Sequence, residues 1–138
     1  MKKLMMLSIM ATALFFSATA QKITNKNVPA TVLAAYQHQY PGISASWEKE
    51  KDKYEANFKL GTTATSVLYL ADGTLTETEV AIKPSSLPAA VINNIKANYK
   101  GATVKEAAKI TKANGAINFE AEVNGKDLIF DANGKFLK

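Results

Sequence analysis

Residues Val28 to Gly42 read VPATVLAAYQHQYPG, and residues Leu87 to Gly101 read LPAAVINNIKANYKG. Laid over one another at an offset of 59, the apolar residues coincide: Val28, Val32, Leu33, Tyr36 and Tyr40 fall on Leu87, Val91, Ile92, Ile95 and Tyr99. Intervals of 4, 5, 8 and 12 residues gather these side chains on one stripe of a helix, while Gln37, Gln39, Lys96 and Asn98 lie off it. Pro29 and Pro88 stand near the start, where a missing N–H costs little, and Gly42 and Gly101 follow the end. Each stretch is therefore expected to be an amphipathic helix, and the chain to carry one unit twice.

Beyond each helix the period falls from 3.6 to 2. Ala45 and Trp47 alternate with Ser46 and Glu48, and Tyr54, Ala56 and Phe58 with Glu55, Asn57 and Lys59. In the second copy Ile117, Phe119, Ala121 and Val123 point one way, and Asn118, Glu120 and Glu122 the other. That alternation predicts half-buried antiparallel strands. Asp52, Asp72-Gly73, Asn114-Gly115, Asn124-Gly125 and Asn133-Gly134 mark the turns between them. The fold class is α+β: two tandem units of a helix and four strands, spanning 28–82 and 87–138 and linked by Lys83 to Ser86. Together they form a two-layer sandwich with an antiparallel sheet of about eight strands and both helices on one face.

Strand parity assigns the faces. Val67, Leu68, Tyr69 and Leu70 align at an offset of 61 with Leu128, Ile129, Phe130 and Asp131, and a carboxylate such as Asp131 belongs toward water. Val67, Tyr69, Leu128 and Phe130 then face the helices, and Leu68, Leu70 and Ile129 face the uncovered side. These three are the candidate partner-binding residues. Either they form an exposed apolar patch, or loops and the curl of the sheet cover them.

The first twenty residues read as an export signal. Lys2 and Lys3 precede an apolar run from Leu4 to Phe16, and Ser17, Ala18, Thr19 and Ala20 supply small residues for cleavage after Ala20. A run of about 13 residues is too short to span roughly 30 Å of hydrocarbon, and without cysteine there is no lipid attachment at the cleavage site. The expected product is one domain over 21–138, free in the periplasm or secreted, with no stable membrane anchor.

Composition narrows the chemistry. The chain has no Cys, so thiol catalysis and Cys-ligated zinc are ruled out. Its 17 basic residues are all Lys, which removes the planar fork used for bidentate phosphate recognition. The balance over 21–138 is 15 − 12 = +3, a solubility charge rather than a nucleic-acid footprint. His38, the single histidine, sits off the apolar stripe with no second His to share a metal. Glu48 to Lys53 alternates charge as a solvated hairpin does. Asp131 opens a calcium-loop-like run with only seven residues after it, too few to reach the distal bidentate Glu. Gly61, Gly73 and Gly125 make no phosphate-cradling loop. Trp47 shares parity with Ala45 and is read as core. No catalytic, cofactor-binding or metal residue is assigned, and no cofactor is expected.

Tyr40-Pro41-Gly42, Trp47-Glu48-Lys49-Glu50, Tyr54-Glu55-Ala56-Asn57-Phe58, Ala71-Asp72-Gly73-Thr74-Leu75 and Phe130-Asp131-Ala132-Asn133-Gly134-Lys135 resemble, as a set, the PepSY-like, β-lactamase-inhibitor-like family of exported bacterial proteins. The resemblance implies the same two-layer architecture, with helices exchanged between units as one variant, and inhibition by analogy of fold. The expected function is a non-enzymatic exported binding module that meets a protein partner or an apolar ligand through the open sheet face. The alternative is an inhibitor of a periplasmic or secreted hydrolase, a β-lactamase or a protease.

Overall fold

A computed structural model describes residues 20–138, and the export-signal reading falls on residues outside those described. The element order is β1 (Gln21–Ile23), α1 (Ala30–Gln39), β2 (Ser46–Glu50), β3 (Lys53–Leu60), β4 (Thr63–Leu70), β5 (Leu75–Ile82), α2 (Ala89–Asn98), β6 (Val104–Lys112), β7 (Ile117–Val123) and β8 (Lys126–Asp131). The strands form one antiparallel sheet in sequence order from β1 to β8.

Both helices are ten residues long, and both are entered through a proline at the cap: Pro29 has φ −55° and ψ 142°, Pro88 φ −54° and ψ 142°. Each is preceded by a 3-10 turn, Asn25–Asn27 or Pro84–Ser86. The anticipated stripes are the buried ones. Val32 and Tyr36 pack with Trp47, Ala56, Phe58, Val67 and Tyr69, and Val91 and Ile95 with Ala107, Ala121, Val123, Leu128 and Phe130. Burying each such side chain contributes about 1.5–3 kcal/mol, which a ten-residue helix needs because it is marginal alone in water. Continuous register from Val67 through Thr78 and Thr111 to Ile117 puts both clusters on the same side of the sheet.

Each helix covers the strands that follow it, so the helices are not exchanged. Helix and sheet are further tied through two glycine turns. Gly73, at φ +87°, lies so close beneath α1 that a Cβ there would sit 2.7 Å from the Thr31 carbonyl oxygen, and the Thr31 hydroxyl donates to the Ala71 carbonyl. Gly134, at φ +83°, lies likewise beneath α2, where a Cβ would sit 2.5 Å from the Ala90 carbonyl oxygen. The Asn94 amide donates to the Gly134 carbonyl at 2.8 Å.

The strand count of eight is reached by a different division from the expected four plus four. β2 to β5 follow α1, but only β6 to β8 follow α2, and β1 supplies the remaining strand. After β8 the chain forms an isolated bridge between Phe130 and Phe136, held at Ile129 by the Leu137 N–H donating at 2.8 Å and the Lys138 carbonyl accepting at 2.7 Å. Leu75, by contrast, starts the eight-residue strand β5, whose far end leads into α2.

Candidate binding face

The face away from the helices is assembled by register. Directly opposed residues share a face in an antiparallel ladder, so one row runs Glu48, Glu55, Leu68, Glu77, Lys112 from β2 to β6. A second row runs Asn57, Ser66, Glu79, Ile110, Asn118, Asp131 from β3 to β8. A third sets Ala108, Glu120 and Ile129 side by side. Acidic and apolar residues therefore interleave on a surface that no helix among the described residues covers.

This face is nonetheless withdrawn from solvent. Glu55 is 1% exposed, Glu79 3%, Glu48 7%, Leu68 7%, Ile110 4% and Ile129 8%. Sheet twist and coiling bend such a surface into a concavity, and here they leave a trough of about 660 Å³. Leu68, Ile110 and Ile129 line it together with Glu55, Glu77, Glu79 and Glu120, and it runs from Glu50 on β2 to Asp127 on β8.

The structure bears on the open-face residues Leu68 and Ile129 through their burial. Both are buried in the trough floor rather than displayed as a patch. Leu70 is half-buried and pairs with Lys53, outside the residues that line the trough. An exposed, purely apolar surface is therefore replaced by a concave one that mixes four aliphatic side chains with carboxyl groups and lysines.

The electrostatics follow from burial. Desolvation, then the charge of Glu48, push Glu55 up to about 7, against the hydrogen bond of the Ser66 hydroxyl. Desolvation, with Glu120, Glu77, Glu55 and Asp127 around it, pushes Glu79 up to about 11. Glu120 rises to about 8 through desolvation and Asp127, and Asp127 itself is raised through desolvation and Glu122. Among the described residues one ion pair forms, Lys112 Nζ to Glu77 Oε1 at 2.9 Å. Glu55 Oε2 and Glu79 Oε1 are buried with no hydrogen-bond partner among the described residues. Such a face can donate protons while its carboxyls are neutral, accept donors at the orphan oxygens, and hold a cation once ionised. No group of three or more His, Cys, Asp or Glu among the described residues is disposed to hold a metal ion.

The other singled-out residues sit elsewhere. His38 is exposed on α1. Trp47 is 4% exposed and packs edge-on against Tyr36, with ring centroids 5.4 Å apart. Asp131 accepts the N–H groups of Asn133 and Lys135, both at 2.9 Å, as a turn residue does. Glu48 to Lys53 forms the β2–β3 hairpin, with Lys51 at φ 53° in its turn. Sequence reasoning missed Glu55, Glu77, Glu79, Ile110 and Glu120 as a group. Alternation with Tyr54 and Ala56, or with Phe119 and Ala121, does place Glu55 and Glu120 on the open side. What alternation omits is that this side curls inward.

The described chain is thus a two-layer α+β protein with one bare, concave sheet face. Residues 52–138 match the family model described as "Putative beta-lactamase-inhibitor-like, PepSY-like", and the chain belongs to that family. The description is that of an inhibitor-like protein rather than of an enzyme. Solved structures share the fold at low identity. A protein from Bacteroides eggerthii described as a "putative periplasmic" protein is 21% identical, covers 80% of this chain and 86% of its own, and superposes with a TM-score of 0.71. A DUF2874 family protein from Bacteroides uniformis gives 21% identity, the same coverages and a TM-score of 0.69. A BLIP-like protein from Bacteroides fragilis gives 22% identity, coverages of 80% and 84%, and a TM-score of 0.61. Comparison with curated proteins found no match. Among the described residues no helix is long and apolar enough to cross a membrane.

Proposed function

We propose that the chain is a non-enzymatic exported binding module, a single domain over 21–138, that engages a protein partner through its concave sheet face. The observation that carries this reading is a helix-free face with an apolar floor of Leu68, Ile110 and Ile129, beside which two buried carboxyl oxygens have no partner. Buried polar groups in native proteins are nearly always hydrogen-bonded, so orphans lining a concavity point to a bound ligand. Export is supported by the leader-like first twenty residues and by the description of the Bacteroides eggerthii relative. Leu68 and Ile129 serve as contact residues in the floor, and Leu70 flanks them. Inhibition of a hydrolase is a narrower form of the same reading, supported by the family description alone.

Methyl-labelled protein titrated with a peptide library tests the binding face. The Leu68, Ile110 and Ile129 methyl resonances are expected to shift while those of Val32 and Val91, under the helices, stay in place. Shifts confined to the helix side, or none, would remove the assignment. For the narrower form, the purified protein is titrated against a β-lactamase and a panel of metalloproteases, and activity unchanged at micromolar inhibitor rejects it.

A further inference from the structure

Within the binding-face reading, on which this inference rests, the chemistry of the trough selects its occupant. We infer that the trough takes an extended polypeptide segment bearing lysine side chains, their aliphatic stems on Leu68 and Ile110 and their ammonium groups at Glu55 and Glu79. Three observations converge on that occupant. The first is the pair of orphan oxygens, Glu55 Oε2 and Glu79 Oε1, on side chains 1% and 3% exposed and lining the trough. They are acceptors without donors, and the ligand must bring donors to them.

The second is charge. The chain is basic overall, with 17 Lys against 12 acidic residues, yet in the lining of this concavity seven acidic side chains outnumber four lysines, and the lysine that is paired there among the described residues, Lys112, is bonded to Glu77 rather than to Glu55 or Glu79. A cationic ligand is complementary to the face and not to the rest of the molecule. Interleaved aliphatic and acidic residues also match a lysine, which lays an apolar stem on an apolar surface while its head reaches a polar group.

The third is length. The trough is lined from Glu50 on β2 to Asp127 on β8, so it crosses seven strands. At about 4.8 Å per strand that is roughly 29 Å along the sheet, far longer than a free diamine and equal to about eight or nine residues of extended chain at roughly 3.3 Å each. Glu55 and Glu79 lie on β3 and β5, two strand spacings apart across the sheet and two residues apart along it, about 12 Å in all, so two lysines three to four residues apart in one extended segment reach both.

Calorimetric titration of the full exported chain with three probes tests the inference: a blocked octapeptide of alternating lysine and leucine, the same peptide with glutamine for lysine, and 1,5-diaminopentane. The lysine peptide is expected to bind at least tenfold tighter than the glutamine peptide, and to weaken as salt rises from 50 to 500 mM. Glu79, at about 11, and in part Glu55, at about 7, hold protons in the free protein, so the arriving ammonium groups displace those protons as they pair with the carboxylates. Glu55→Gln and Glu79→Gln preserve shape and remove that option, and each is expected to weaken the lysine peptide about tenfold while leaving the glutamine peptide unchanged. Equal affinity for the two peptides, salt-independent binding, or variants that bind lysine as before would overturn it. So would diaminopentane binding as tightly as the peptide, which would make the occupant a free amine. If the glutamine peptide alone moves the Leu68 and Ile129 methyls, the lysine preference fails and the binding face stands; if neither peptide moves them, both fall.

Discussion

The two faces of this sheet are built from the same strands and bury side chains to a similar depth, but by different means. On the helix side Val32, Val67, Val91 and Phe130 are fully covered by neighbouring elements, and Tyr69 donates its hydroxyl to Gln39 at 3.0 Å. Among the described residues that side leaves one orphan, the Tyr36 hydroxyl, whose pKa burial pushes up to about 12. On the other side no helix arrives, yet Glu55 and Glu79 are as deeply buried as the core. Stability alone accounts for the first face. Burial of carboxyls in the second opposes stability, which supports the proposed role of that face in binding.

That contrast predicts the largest losses on the helix side. Trp47→Ala removes the ring wedged between Tyr36 and Tyr69, and is expected to destabilise the fold by about 3–5 kcal/mol in a denaturant titration. An unchanged midpoint would mean that Trp47 is not core. A medium effect is expected where sheet meets helix. Gly134→Ala combines a left-handed φ with a Cβ 2.5 Å from the Ala90 carbonyl oxygen, whereas Gly115→Ala has a similar φ of +86° and open space. The first is expected to cost about 2–3 kcal/mol and the second about 1 kcal/mol. Equal costs would show that the approach of α2 to its turn contributes nothing.

The open face governs the pH dependence, and its sign is opposite to the usual acid denaturation. Glu55 has a folded pKa near 7 against an ordinary 4.5, and Glu120 one near 8. Between 4.5 and those values the folded state holds protons that the unfolded chain has released. Stability from these groups is therefore fully present below about pH 4.5 and is lost as pH rises through 7 to 8. The melting temperature is expected to be lower at pH 8 than at pH 5, and Glu55→Gln to flatten the part of that slope below pH 7. A melting temperature that rises from pH 5 to pH 8 would place ionised, well-paired carboxylates on this face instead.

The helix stripes, the strand parity and the core place of Trp47 were legible because each is a local rule: a period of 3.6 or 2 acts between residues a few positions apart. Val67, Tyr69, Leu128 and Phe130 faced the helices as parity required. The same parity set Leu68 and Ile129 on the bare side, but whether they stayed exposed depended on the curvature of eight strands together. Glu55, Glu77, Glu79 and Glu120 are distributed over β3, β5 and β7, and nothing within twenty residues of Glu55 announces Glu79 or Glu120 as its neighbour.

The amino-acid sequence by itself determined two amphipathic helices, a chain of alternating strands and the side of the sheet on which each residue stands. The tertiary structure decided that each helix covers its own strands, that β1 completes the sheet, and that the bare side closes into an acidic trough. The physical reason is range. Side-chain direction is set by the dihedral angles of adjacent residues, whereas desolvation and charge crowding are summed over every strand that the twisted sheet brings within reach.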